Sequence, residues 1–335
     1  MAHDTGTSPT RDRPTRTRPT WPELPAEVRA GLEERIGGTV LGWTSHDGGY
    51  SPGMASTLRT TRGPLFVKAV STEHEGATHL YREEARRSAL LPEGVPAPAL
   101  LWSAEIGPAC PDGRGGDVPR WVAVAFEAVP GARAPHAPWR DDDLDAVQRL
   151  CAQVASFEVA PGELPELAED LPADRTATLA DELPAGLDAF DPWFAAHLDR
   201  LADIAEHARA AVAGPALVHH DLRGDNALLV DGTHGPRALA VDWPYASRGA
   251  AFCDQVGMLP ATELEGGPPP EEVLRRRPLP AGTDDDAVTA FLAAITGYFV
   301  HASLQPPPPA IPHARAFQRA QGEVAVAWLR RRLRT

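Results

Sequence analysis

Eight polar-loop residues clasped by two short apolar runs, ALV–HHDLRGDN–ALLV over residues 216–230, constrain this chain more than any other stretch. The flanks read as strands, so the loop's polar groups are held between two rigid elements. Sixteen residues beyond Asn226, Asp242 ends the next apolar run, RALAVDW, after the turn DGTHGP. A hairpin of the two runs brings Asn226 and Asp242 to the same end of a sheet. Asn226 is the only asparagine in the chain, and Lys68, in LFVKAV, is the only lysine among 32 basic residues. A composition that has drained both residue types marks these two as positions where only that side chain serves.

The spacing suits phosphoryl transfer from a nucleotide. That chemistry needs hard oxygen ligands for Mg²⁺, a base at the acceptor hydroxyl and a cation on the phosphates. Asn226 and Asp242 supply the metal oxygens, Asp221 is the base, and Lys68 holds the phosphates. His219 completes an H-x-D-x-x-x-x-N pattern and is equally a packing residue, while His220 reads as no more than exposed. A lysine flanked by apolar residues needs a carboxylate partner. Glu84, in YREEARR, is the natural one, with Glu83 turned toward solvent. Upstream, DGGYSPGMAST places Ser51 and Gly53 where backbone N–H groups can approach phosphates. The local alternatives are a turn capped by Asp and Asn, and a lysine that merely guards a sheet edge.

Around these residues the chain divides in two. Residues 1–20 are Thr-, Pro- and Arg-rich without periodicity and read as a disordered arm. Residues 21–129 alternate short β-type runs with glycine-rich turns and hold helices near 23–37 and 73–92, the second stopped by Pro92. Residues 130–335 are mainly helical, with helices at 141–158, 192–214, 284–304 and 312–333. The fold class expected is α+β, a β-rich N-lobe followed by a helical C-lobe.

Net charge is −14, which argues against a nucleic-acid partner, and residues 131–335 alone carry −12. That excess favours a cationic acceptor drawn into an acidic cleft, and serves solubility equally well. No apolar run reaches membrane-spanning length, no secretory signal opens the chain, and Cys110, Cys151 and Cys253 are too scattered for a zinc site or a disulfide framework. A reduced, cytoplasmic protein is expected.

LVHHDLRGDNALLV resembles the catalytic loop of the aminoglycoside phosphotransferase family, and LAVDWPYASRGAAFCDQ its metal-binding segment. The resemblance runs from about Gly48 to Asp254. It implies a two-lobed, protein-kinase-like fold and ATP- or GTP-dependent transfer to a hydroxyl of a small molecule, with Asp221 as base and Asn226 and Asp242 on Mg²⁺. It further implies a Lys68–Glu84 ion pair, a hinge in FEAVPG whose backbone near Phe126 and Ala128 bonds the nucleotide base, and Asp254 bracing the loop from the first C-lobe helix. Acceptors in the family range over aminoglycosides, choline, homoserine, sugars and peptide antibiotics. The position held by His220 is commonly glycine there, and DWP replaces D-F-G of protein kinases with no A-P-E segment. Two other classes stay open: a metal-dependent phosphohydrolase using the His-Asp doublet, and a kinase-fold protein that binds nucleotide without transferring phosphate.

Overall fold

The computed structural model describes residues 18–46, 51–107, 119–233, 235–308 and 313–333. Most of the Arg-rich arm, Cys110 and residues 47–50 of the glycine-rich loop lie outside them.

Alternation along LFVKAV organises the N-lobe. Five antiparallel strands, β1 (Val40–Ser45), β2 (Met54–Thr60), β3 (Gly63–Ser71), β4 (Leu100–Ile106) and β5 (Trp121–Glu127), form one sheet in the order β1-β2-β3-β5-β4. Leu65, Val67 and Ala69 of β3 point into a cluster with Val28 and Leu32 of helix α1 (Ala26–Ile36). Phe66 and Val70 point the other way, against Tyr81 and Ala85 of helix α2 (Glu75–Ser88). Period-two geometry therefore puts Lys68 on the α2 face, at the centre of the sheet between Ala55 and Val124. Helix α2 ends at Ser88, short of Pro92, with Arg86 and Arg87 in its last turn, where cations complement the dipole.

Beyond β5 helices dominate, and with the antiparallel sheet they give the expected α+β, two-lobed arrangement. Helix α3 (Asp141–Ala155) opens on three aspartates and buries Leu144, Val147, Leu150 and Val154. The run 192–214, expected as one helix, is broken at His197 and His207. The His197 Nδ1 bonds the Trp193 carbonyl at 2.7 Å while its backbone N–H bonds Phe194, a local competition that interrupts the helical ladder. Four short strands follow: β6 (Ala216–Val218), β7 (Ala227–Val230), β8 (Arg237–Ala240) and β9 (Ser247–Gly249). β7 and β8 make the expected hairpin, Ala227 opposite Ala240, and β6 pairs with β9. The helices Asp285–Ser303 and Ala314–Leu333 close the lobe over Phe291 and Trp328, both fully buried. Among the described residues, no helix is long and apolar enough to cross a membrane.

Candidate active site

Lys68 is where the two lobes meet. Its Nζ donates to both carboxylate oxygens of Glu84, at 2.8 and 2.9 Å, and to Asp242 Oδ1 at 2.9 Å. Glu84 is 2 % exposed, so the pair is locked between β3 and α2. Burial pulls the ammonium toward neutrality, but Asp242 and Glu84 outweigh it and hold Lys68 well above the ordinary lysine range. Glu83 does not face solvent freely: it accepts from Arg86 and Arg87, and the Arg86 hydrogen bond chiefly holds its carboxyl down near about 2. Arg87 also reaches Asp170 at 3.1 Å and the Ala246 carbonyl at 3.0 Å, tying α2 to the C-lobe.

The loop between β6 and β7 is pinned from beneath. Asp254 accepts the backbone N–H groups of His219 and His220, both at 2.8 Å. It does so from the short helix Cys253–Gly257 after β9, not from the first helix of the C-lobe. His219 is fully buried with both ring nitrogens engaged: Nδ1 accepts from the Asp221 N–H at 3.3 Å and Nε2 donates to the Val241 carbonyl at 2.9 Å. Burial lowers its basicity, as a neutral ring in that double role requires. The histidine thus stitches the Asp221 loop to the strand that delivers Asp242. His220 is half-buried rather than exposed, and its backbone is left-handed at φ 69°.

Asp221 sits at the mouth of this loop. Asn226 Nδ2 donates to its carbonyl at 2.8 Å and to its carboxylate at 3.1 Å, and Arg223 lies 3.4 Å away. Burial pushes the Asp221 carboxyl up to about 6, against the pull of Arg223. With its amide nitrogen committed to Asp221, Asn226 turns its carbonyl oxygen the other way. Asp242 lies two residues past the end of β8, at a left-handed φ of 69°, and uses only one carboxylate oxygen on Lys68. The remaining oxygens of Asn226 and Asp242 are hard donors at one hairpin end, a set that suits Mg²⁺ better than a softer ion.

These groups open onto a cleft of about 1810 Å³ that also takes in Ser51, Phe126, Tyr245 and Tyr298. Ser51 Oγ is hydrogen-bonded to the Tyr81 hydroxyl. Gly53 lies behind the cleft wall, where a Cβ would meet the β3 backbone and Tyr81, so the sheet alone accounts for that glycine. In the hinge, Phe126, Glu127 and Val129 line the cleft, whereas Ala128 lines a separate cavity of about 630 Å³. Sequence reasoning missed Arg223, which pairs with Asp225 at 3.1 Å and lies 5.5 Å from the Phe317 ring centre as well as beside Asp221. Its place inside the H-x-D-x-x-x-x-N stretch was the available signal.

Residues 43–292 match the phosphotransferase enzyme family, APH. The chain belongs to that family. Among curated protein sequences, none matches. A spectinomycin phosphotransferase solved with ADP and spectinomycin is similar in structure, with a TM-score of 0.54 at 12 % identity over 89 % of this phosphotransferase and 98 % of that chain. A microcompartment-associated aminopropanol kinase gives 0.54 at 17 %, covering 87 % and 93 %. The choline kinase of Streptococcus pneumoniae gives 0.53 at 14 %, covering 88 % and 97 %. At such identities the likeness establishes a shared kinase-like fold.

Proposed function

We propose that this phosphotransferase moves the γ-phosphate of ATP, or of GTP, to a hydroxyl of a small molecule, with Asp221 as base. The single observation that carries the reading is the Lys68 ammonium held within 2.9 Å of both Glu84 and Asp242 while Asn226 links Asp221 to the same hairpin end. That arrangement supports residues 21–129 as the nucleotide lobe, with Ser51 and the backbone at Phe126 facing the nucleotide, while Gly53 and Ala128 stand outside that cleft's lining. Residues 130–335 then present the acceptor.

Lys68 is the cation for the transferred phosphates and Glu84 its positioning partner. Asn226 and Asp242 would hold Mg²⁺, which when bound neutralises charge on the γ-phosphate. The acceptor oxygen forms the new bond to phosphorus, the bond to the nucleoside diphosphate breaks, and the hydroxyl proton passes to Asp221. An elevated carboxyl suits a proton acceptor that must later release its proton near neutrality. The phosphohydrolase reading fares worse: His219's ring is spent on Asp221 and Val241, and among the described residues no three His, Cys, Asp or Glu are placed to hold a metal. Two buried free thiols, Cys151 and Cys253, favour a reduced cytoplasmic setting.

The test is Asp221→Asn with Mg²⁺, ATP or GTP and a panel of hydroxyl acceptors. Transfer should fall by at least ~10³-fold while nucleotide affinity stays within a few-fold, because the base faces the acceptor. Near-full activity would remove Asp221 as base. Nucleotide binding by the wild type with no turnover on any acceptor would favour the binding-protein reading.

A further inference from the structure

We propose that Tyr81 is a positioning residue for the donor phosphates, acting through the hydroxyl of Ser51, an inference that rests on the phosphotransferase reading above. Helix α2 carries Tyr81, Glu84 and Arg87 at three-residue steps, so the three side chains leave one stripe of its surface. From that stripe Glu84 holds Lys68, and Arg87 reaches the C-lobe through Asp170 and the Ala246 carbonyl. Tyr81 points instead to the segment that leads into β2. Its ring is buried with Val70, Val122 and Phe126, which fixes the place of the hydroxyl.

Two contacts meet at that hydroxyl. Ser51 Oγ, on the cleft lining, is hydrogen-bonded to it. Gly53 lies against it from behind, where a Cβ would stand 2.8 Å from the phenol oxygen. The hydroxyl therefore supports residues 51–53 from beneath, and the Lys68 ammonium lies 5.8 Å from the centre of the same ring. One side chain thus borders both the phosphate cation and the wall that faces it. A buried phenol needs a partner, and Ser51 supplies one, but the direction of the protons makes the pair more than that. A phenol is the stronger acid of the two hydroxyls and the better donor. Burial, the largest influence on Tyr81, raises its pKa and keeps that proton in place. With Tyr81 donating to Ser51 Oγ, the serine's own O–H is left to donate into the cleft, where the oxygens of a nucleotide phosphate are strong acceptors.

The experiment is calorimetric binding of ATP and of adenosine to the full chain with Mg²⁺, repeated with GTP and guanosine. Tyr81→Phe removes one oxygen and keeps the ring. It should weaken triphosphate binding about tenfold and leave the nucleoside within about twofold. Ser51→Ala should do the same, and the double variant should bind the triphosphate no worse than Ser51→Ala, because both changes act on one hydrogen bond to phosphate. Wild-type triphosphate affinity in Tyr81→Phe overturns the inference. An equal loss of triphosphate and nucleoside, the mark of a merely structural hydroxyl, overturns it too, as do losses that multiply in the double variant. Failure of the wild type to bind either triphosphate sinks the phosphotransferase reading and this inference with it. Wild-type binding with an unmoved Tyr81→Phe sinks only the role of Tyr81.

Discussion

His220 occupies a backbone conformation that an L-residue reaches only at a cost of roughly 1–2 kcal/mol. Its φ of 69° is held where its own N–H and that of His219 are both captured by one carboxylate, that of buried Asp254. Glycine would take this conformation without strain, whereas this chain sets an imidazole there, 6.3 Å from the Tyr245 ring. Comparing His220→Gly with His220→Ala isolates the strain, because both delete the ring. The glycine variant should be the more stable by about 1 kcal/mol in urea unfolding, after allowing for glycine's greater freedom in the unfolded chain. Equal stability, or a more stable alanine variant, would mean that the turn is not left-handed.

Two helices show how elements hold the site in place. The helix Asp285–Ser303 carries Gly297 in its interior, where alanine is ordinarily favoured by about 1 kcal/mol. Here a Cβ would collide with Thr176 Oγ1 and lie 2.9 Å from the Thr176 nitrogen, on the helix Arg175–Glu182. Gly297→Ala should therefore destabilise by about 1–3 kcal/mol despite better propensity, and a rise in melting temperature would refute the close approach. At the other end, α3 presents Asp143, 1 % exposed, to the segment leaving the hinge. Arg133 grips it with two bonds of 2.8 and 2.9 Å, and His136 donates from its backbone at 2.9 Å. Burial alone would raise this carboxyl, but Arg133 and His136 hold it far below the usual range. A depressed folded-state value means stability fully present above the unfolded value near ~4 and lost as pH falls toward the folded one. Asp143→Asn should cost about 3 kcal/mol at pH 7, and the gap to wild type should shrink between pH 4 and 2. Parallel melting curves across that range would contradict the assignment.

At the scale of the whole molecule, what was legible in the sequence was whatever depends on neighbours in the chain. Alternation in LFVKAV and the helical placement of Glu84 were enough to pair Lys68, and the strand–loop–strand run announced the hairpin. The rest is long-range. The Lys68–Asp242 bond spans 174 positions, and nothing local to either residue foretells it. The engagement of both His219 nitrogens, the commitment of every C-lobe carboxylate in the cleft, and the collision that forbids a side chain at 297 likewise exist only once the lobes are assembled. The interlobe bond also makes Asp242 the sharpest place to test the metal assignment. Asp242→Ala removes the only anionic ligand proposed for Mg²⁺ and also the C-lobe partner of Lys68. It should raise the Mg²⁺ concentration for half-maximal transfer by about tenfold or more and leave little turnover at saturation. Asn226→Ala loses a neutral carbonyl oxygen and the tether to Asp221. Its Mg²⁺ requirement should move less, while the maximal rate falls because the base is no longer held. Asn226→Asp adds charge, so it should lower the Mg²⁺ requirement yet slow transfer by placing a carboxylate 3.1 Å from Asp221 where an amide donor had been. The measurement is initial rate against Mg²⁺ concentration for the three variants, with nucleotide affinity followed separately by calorimetry. Three curves with the wild-type midpoint would mean that neither residue binds the metal, and the cleft would then have to assemble its phosphate-binding charge from Lys68 and its arginines.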